Sequence, residues 1–173
     1  GQVTQQTATL GTGANVSYIT AARTAKTTLT VGTVATGYQF DGWYAAATGG
    51  TKLSTSTTYT YYPTAATTVY ARFSEITYSV QVKSADNNQG TVSPTSVNAG
   101  QFTGVTITAT PKIGYAFKNW TATDGITIDN ANSANTTIKA TKAGTVTANF
   151  EAQPATTIYL EPTGHWNPHK AVF

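Results

Sequence analysis

The chain has 173 residues, only 10% of them charged, and its formal net charge of +3 comes from ten Lys and Arg against seven Asp and Glu. This charge reflects a scarcity of acids and not a cluster of basic residues, so we expect no nucleic-acid partner. Without Cys the chain has no disulfide, thiolate metal ligand or cysteine nucleophile, and no apolar run reaches the roughly 20 residues of a membrane span.

The composition favours strands over helices. Thr, Val and ten Tyr are frequent, and these residues prefer extended backbone. Leu, Glu, Gln and Lys never form a stripe at helical spacing. We therefore predict an all-β protein, with short strands in its opening part at residues 3–10, 16–19 and 27–31, the first two around a turn at 11–13.

Two sequence motifs occur twice, each time with the same separation along the chain. Residues 37–43 read Gly-Tyr-Gln-Phe-Asp-Gly-Trp, and residues 114–120 read Gly-Tyr-Ala-Phe-Lys-Asn-Trp, 77 residues later. Thr-Val-Tyr-Ala-Arg-Phe at 68–73 returns as Thr-Val-Thr-Ala-Asn-Phe at 145–150 with the same offset. A fixed period with a retained aromatic frame indicates two copies of one structural unit.

This period predicts the domain organisation. We assign residues 1–74 to a first module, residues 75–151 to a second module, and residues 152–173 to a linker and a strand. The last part either begins a truncated third domain or docks back on the second module. Only residues 74–77 join the two modules, too few for a flexible tether, so we predict a rod.

The aromatic frame breaks the alternation of a regular strand. Phe40 and Trp43 stand three residues apart, as do the rings at 117–120, and residues three apart face opposite sides of a strand. If both rings are buried, one extra residue must lie between them. Gly42 and Asn119, which precede the two Trp residues, tolerate positive φ. We predict a β-bulge in both strands.

Alternating apolar and polar residues mark further strands, whose apolar members we expect to face the core. These stretches are residues 69–73, 78–82, 105–109 and 146–150. Thr-Gly-Gly-Thr at 48–51 predicts a hairpin turn followed by a strand at 57–62, and residues 86–90 predict a turn between strands.

These motifs carry a family resemblance. Residues 37–44, 48–52 and 68–73 closely resemble the Listeria-Bacteroides repeat, the internalin B-type B-repeat of bacterial surface proteins. The second copy is similar to a divergent branch of that family, through Gly-Thr-Val-Ser-Pro at 90–94 and the phrases at 105–111, 114–120 and 146–150. The opening of the first copy departs from the family pattern, because it lacks the usual strand followed by Gly-Gly.

The resemblance covers residues 1–151 and implies a small β-grasp-like fold. The expected architecture is thus two tandem β-grasp-like modules followed by a C-terminal strand or tail. The resemblance also implies export to the bacterial cell surface and a role as a spacer or adhesive module. Since the family motif is a packing frame, it brings no catalytic residue, no cofactor and no metal ligand.

The aromatic side chains are the candidates for ligand contact. Alternation places Tyr59 and Tyr61 on one face of their strand, and Tyr62 and Tyr44 are further rings that we expect near the surface. Flat rings stack on sugars, so these four Tyr residues are the candidate contacts for a glycan or a host-surface macromolecule. The alternative interpretation is that they are ordinary cross-strand cover of a sheet.

Polar groups give weaker candidates. Asp124 and Asp129 could form the acid pair of a glycosidase, but their spacing suits a loop. His165 and His169 are four residues apart, as metal ligands on one helix face would be, yet Pro168 between them disfavours that helix. The oxygen ligands at 86–88 lack the spacing of a calcium loop, and isopeptide cross-links from Lys83 or Lys139 to an Asn are disfavoured.

Two hypotheses about function follow. The first is a monomeric, extracellular, non-enzymatic part of a bacterial surface protein whose modules act as spacers or adhesion units. The second is a module that binds carbohydrate or a host surface through Tyr44, Tyr59, Tyr61 and Tyr62. A hydrolase would need an acid pair that the sequence does not reveal.

Overall fold

The computed structural model describes residues 4–8, 16–21, 27–63 and 67–154, the first two of these ranges by backbone alone. The described residues form fifteen strands and no helix, so the prediction of an all-β fold is confirmed. Within these ranges there is accordingly no helix of the length and apolarity that a bilayer crossing requires. The predicted turn at 11–13 and the tail from residue 155 onward lie outside the described residues.

The first module contributes two sheets. Its strands are β1 (Thr4–Ala8), β2 (Val16–Ala21), β3 (Thr27–Val31), β4 (Tyr38–Tyr44), β5 (Lys52–Ser54), β6 (Thr58–Tyr61) and β7 (Thr67–Glu75). One sheet has the order β2-β7-β4-β5 and the other the order β1-β3-β6. The strand predicted at 27–31 has the observed limits of β3, and the strand predicted at 57–62 is one residue shorter at each end.

The second module contributes two four-stranded sheets. Its strands are β8 (Thr77–Ser84), β9 (Gly90–Ser93), β10 (Ser96–Gly100), β11 (Val105–Pro111), β12 (Tyr115–Ala122), β13 (Ile126–Ile128), β14 (Asn135–Ala140) and β15 (Gly144–Ala152). The sheets have the orders β10-β8-β15-β12 and β13-β14-β11-β9. In the first of them, β8 and β15 run parallel.

Both predicted bulges are present. Along the pairing of β4 with β7, Phe40 lies opposite Phe73 and Gly42 opposite Arg72, so Asp41 is the extra residue. The pairing of β12 with β15 shifts in the same way between residues 117 and 119. The bulge lets two residues three apart turn toward one core.

Each module has its own apolar cluster between its two sheets. Trp43 packs with Leu29, Val69, Ala71 and Phe73, and none of its surface is exposed. Trp120 takes the same place in the second cluster, whose other buried members are Val80, Val82, Ala99, Ile107, Ala109, Ile138, Ala140, Val146, Ala148 and Phe150. The two clusters share no residue.

The two indoles are held by the same hydrogen bond. Trp43 Nε1–H donates to the carbonyl of Ser56 at 2.9 Å, and Trp120 Nε1–H donates to the carbonyl of Ser133 at 2.9 Å. A buried indole N–H needs such an acceptor, because leaving it unpaired costs about 1–3 kcal/mol. The 77-residue period therefore extends from the sequence to individual polar contacts.

The opening strands break the period. Beside β7 lies β2, antiparallel to it, whereas beside β15 lies β8, parallel to it. The strands after the two Trp residues also differ, since β5 pairs with β4 whereas β13 pairs with β14. The two modules therefore differ in strand pairing outside the repeated aromatic frame.

Candidate functional site

Two of the candidate aromatic residues face the core. The rings of Tyr59 and Tyr61 lie side by side, with centroids 6.0 Å apart, and both pack on the first apolar cluster. Burial and the neighbouring Tyr61 raise the pKa of the Tyr59 phenol above its ordinary value of 10.0. Alternation correctly placed the two rings on one face, and that half-buried face packs against the apolar cluster.

Tyr44 is engaged by cations. The Arg72 guanidinium lies over its ring, 3.9 Å from the centroid, and Lys52 Nζ lies 5.3 Å from it. Arg72 also donates hydrogen bonds to the carbonyls of Ala46 and Gly49, in the turn after β4. A cation over an aromatic face is attracted to its negative charge density. The ring therefore helps to hold this turn.

Tyr62 is the most exposed of the four candidates. It follows β6 directly and precedes Pro63, and 66% of its surface is open to solvent. A sugar ring could stack on it without displacing core residues. The structure thus separates the four rings into two that cover the core, one that supports a turn and one that faces outward.

The two acids of the candidate glycosidase pair lie in different surroundings. Asp124 forms an exposed ion pair with Lys142, whose hydrogen bond and charge lower the pKa of the Asp124 carboxyl. An acid held in its ionised form is unsuited to donate a proton at neutral pH. Asp129 and Lys139 both line a depression of ≈ 200 Å³ on the second module, together with Thr127 and Thr137.

The candidate metal ligands fall in two places. Asp86 accepts a hydrogen bond from the backbone N–H of Asn88 at 2.8 Å, which is a turn-forming contact. His165 and His169 lie outside the described residues. Within the described ranges there is no group of three or more His, Asp or Glu side chains that could hold an ion.

The described parts of the two modules meet at a compact junction. Ile76 alone separates β7 from β8, and its N–H donates to the carbonyl of Gly37 at 2.7 Å. Tyr38 of the first module stacks on Phe102 of the second, with ring centroids 5.1 Å apart and planes 17° from parallel. The short connection and the stack together limit rotation about residue 76.

A carboxylate fastens the same junction. Glu75 accepts hydrogen bonds from the backbone N–H groups of Phe102 and Thr103. Partial burial by itself raises the pKa of Glu75, but these hydrogen bonds and the charge of Lys139 outweigh it and lower the pKa below its ordinary value of 4.5. The ionised form of Glu75 is therefore the one that holds the junction.

The sequence analysis did not identify the junction residues Tyr38, Glu75 and Phe102. A signal was present, because Phe102 is a large ring in the polar loop Gly-Gln-Phe-Thr-Gly at 100–104. A ring in such a loop either is exposed or packs on another part of the molecule. Its partner, 64 residues earlier, has no local signature.

Comparison with known proteins gives two matches. Residues 6–72 match the family model described as the Listeria-Bacteroides repeat domain, and residues 78–154 match the one described as the Divergent InlB B-repeat domain. Both families are typical of bacterial surface proteins. No curated protein and no solved structure gives a significant match.

Proposed function

We propose that this chain, a Listeria-Bacteroides repeat domain followed in tandem by a divergent InlB B-repeat domain, is a non-enzymatic spacer of a bacterial cell-surface protein. Residues 1–74 and 75–151 are its two proposed modules, although β7, the last strand of the first module, extends one residue further, to Glu75. Residues 152–173 lead out of the second module. The proposed location is extracellular, on the bacterial cell surface, and the proposed state is a monomer that binds no nucleic acid and inserts no segment into the membrane.

The observation that supports this function is the junction. A rigid spacer keeps its modules at a fixed angle, and at this junction one intervening residue, a ring stack and a carboxylate all restrain that angle. The Tyr38–Phe102 stack contributes roughly 0.5–1.5 kcal/mol beyond the area it buries. The largest buried side chains, Trp43 and Trp120, serve the two cores, and the acids that could do chemistry are paired or exposed.

Small-angle scattering of the 173-residue chain tests the spacer function. A compact domain of this length has a radius of gyration of about 16 Å, and we expect a clearly larger value with a single well-defined maximum dimension. Phe102→Ser should broaden the distribution of distances, because it removes the stack while leaving both cores intact. A radius of gyration near that of a compact domain would contradict a spacer.

Small-angle scattering at low pH tests whether the ionised Glu75 carboxylate holds the junction. Its pKa is lower in the folded junction than in the unfolded chain, so its contribution is fully present above pH 4.5 and is lost as the pH falls through the lowered value. We expect the wild-type distribution to broaden below that range. The Glu75→Gln variant should be broad already at neutral pH and should change little on acidification.

The second candidate function is binding of a glycan or a host-surface macromolecule, and the exposure of Tyr62 favours it. If a glycan array gives a ligand, Tyr62→Ala should weaken binding about tenfold, equivalent to 1.4 kcal/mol. Thr58→Ala, at an exposed position of β6, is the matched control and should bind normally. Tyr61→Ala is a poor test, because that ring packs on the core. Flat responses across the array would remove this candidate.

A further inference from the structure

The chain leaves both modules at the same structural position. In the first module, the N–H of Ile76 donates to the carbonyl of Gly37 at 2.7 Å; in the second, the N–H of Gln153 donates to the carbonyl of Gly114 at 2.9 Å. Both pairs are related by the 77-residue period. Each module therefore sends its following segment out beside the turn that precedes its aromatic phrase.

The two exits differ in what covers them. At the first, a methyl group added to Gly37 would lie 2.8 Å from Phe102 Cε2, so the ring occupies the space beside the glycine. At the second, a methyl group added to Gly114 would meet no heavy atom of the described residues within 4 Å. Ile113, the preceding residue, is fully exposed in the described part of the chain.

We call residues Ile113, Gly114 and Tyr115 the exit edge. Gly37 and Gly114 have nearly the same φ, +86° and +85°, so the backbone of the edge is already in the conformation that receives a ring in the first module. Ile113 is thus a fully exposed apolar side chain, and no described residue fills the space beside Gly114.

The first exit is covered by chain that follows it, since Phe102 comes 26 residues after Ile76. The segment that follows the second exit is 155–173, and it carries three rings, those of Tyr159, Trp166 and Phe173. It begins next to the edge, because Gln153 is bonded there, so its local concentration at the edge is high. We propose that residues 155–173 dock on the exit edge and place one of these rings against Ile113 and Tyr115.

This docking mode does not depend on the spacer function, since it concerns only contacts within one chain. A second copy of the chain could cover the same edge, but the first module shows that the covering ring comes from the segment that follows the exit. The proposal therefore commits to an intramolecular contact.

Nuclear Overhauser contacts in the full 173-residue chain test the proposal. The methyl signals of Ile113 are assigned through Ile113→Val, and we expect them to show contacts with aromatic protons of Tyr159, Trp166 or Phe173. Mixing labelled and unlabelled chains separates contacts within one chain from those between copies. Absence of such contacts, or contacts found only between copies, would overturn the proposal.

Proteolysis gives an independent readout. Chymotrypsin cleaves after the rings of the segment, and cleavage of a docked segment follows the population of its open form. Ile113→Lys, which places a charge on the edge, should therefore speed cleavage at residues 159 and 166 about tenfold. Thr127→Lys, at an exposed position of β13, is the matched control and should leave the rate unchanged. Equal rates in both variants would show that the segment does not use this edge.

Discussion

Trp43→Ala is expected to unfold the first module while the second stays folded. The indole is fully buried, packs edge-on against Phe40 at 5.5 Å and donates its N–H to the Ser56 carbonyl. Truncating a buried Trp costs roughly 3–5 kcal/mol, and a module of this size rarely has much more than about 5 kcal/mol to lose. The loss thus approaches the whole stability of the module.

Calorimetry with two-dimensional NMR measures this effect. We expect the unfolding transition of the first module to disappear and the amide signals of the second to keep their positions outside the junction. Trp43→Phe is the milder control, since it keeps a ring in the cluster and loses only the indole N–H and part of the volume. If Trp43→Ala abolished both transitions together, the two clusters would have to be one cooperative unit.

Gly42→Ala is expected to destabilise the first module by about 2–4 kcal/mol, combining backbone strain with overpacking. Gly42 lies in the bulge of β4 with φ +141°, a conformation that residues with a side chain rarely adopt. A methyl group there would also lie 2.7 Å from the backbone carbonyl oxygen of Ser54 on β5. Backbone cannot move aside without breaking the pairing of β4 with β5.

The second module supplies the matched control. Asn119 occupies the corresponding bulge position of β12, so a side chain is accommodated there. Asn119→Ala loses the hydrogen bond from Asn149 Nδ2 at 3.1 Å, worth about 1 kcal/mol. Urea unfolding followed separately for each module should show the larger shift for Gly42→Ala. Equal shifts would mean that the bulge imposes no special demand on Gly42.

The aromatic frame and its bulges could be predicted because the same motif occurs in both modules, at 37–43 and at 114–120. Phe40 and Trp43 are three residues apart, and a Gly or an Asn precedes each Trp. Few backbone arrangements bury both rings of such a pair, and a bulge is the simplest. The inward residues of β7 and β15 followed from plain alternation, which depends only on the two-residue period of a strand.

The candidate site was harder to predict. Alternation shows which residues share a face of a strand, but it does not show which of the two faces packs on the core. It shows that Tyr59 and Tyr61 share a face, but which face packs on the core depends on the sheet opposite. The junction was missed for a related reason. Tyr38 and Phe102 are far apart in the chain, and no local pattern links them. The partners of β2 and β13 also depend on long-range pairing that local propensity does not encode.

The parallel pairing of β8 with β15 has a mechanical consequence. The chain enters the second module through β8 and leaves it through β15. Because these two strands run parallel, the first residue of β8 and the last residue of β15 lie at opposite ends of the strand pair. Traction on the chain therefore shears the two strands past each other, and the hydrogen bonds along the pair from Gly144–Val80 to Ala148–Ser84 bear the load together. A hairpin pulled from its open end would instead unzip one bond at a time.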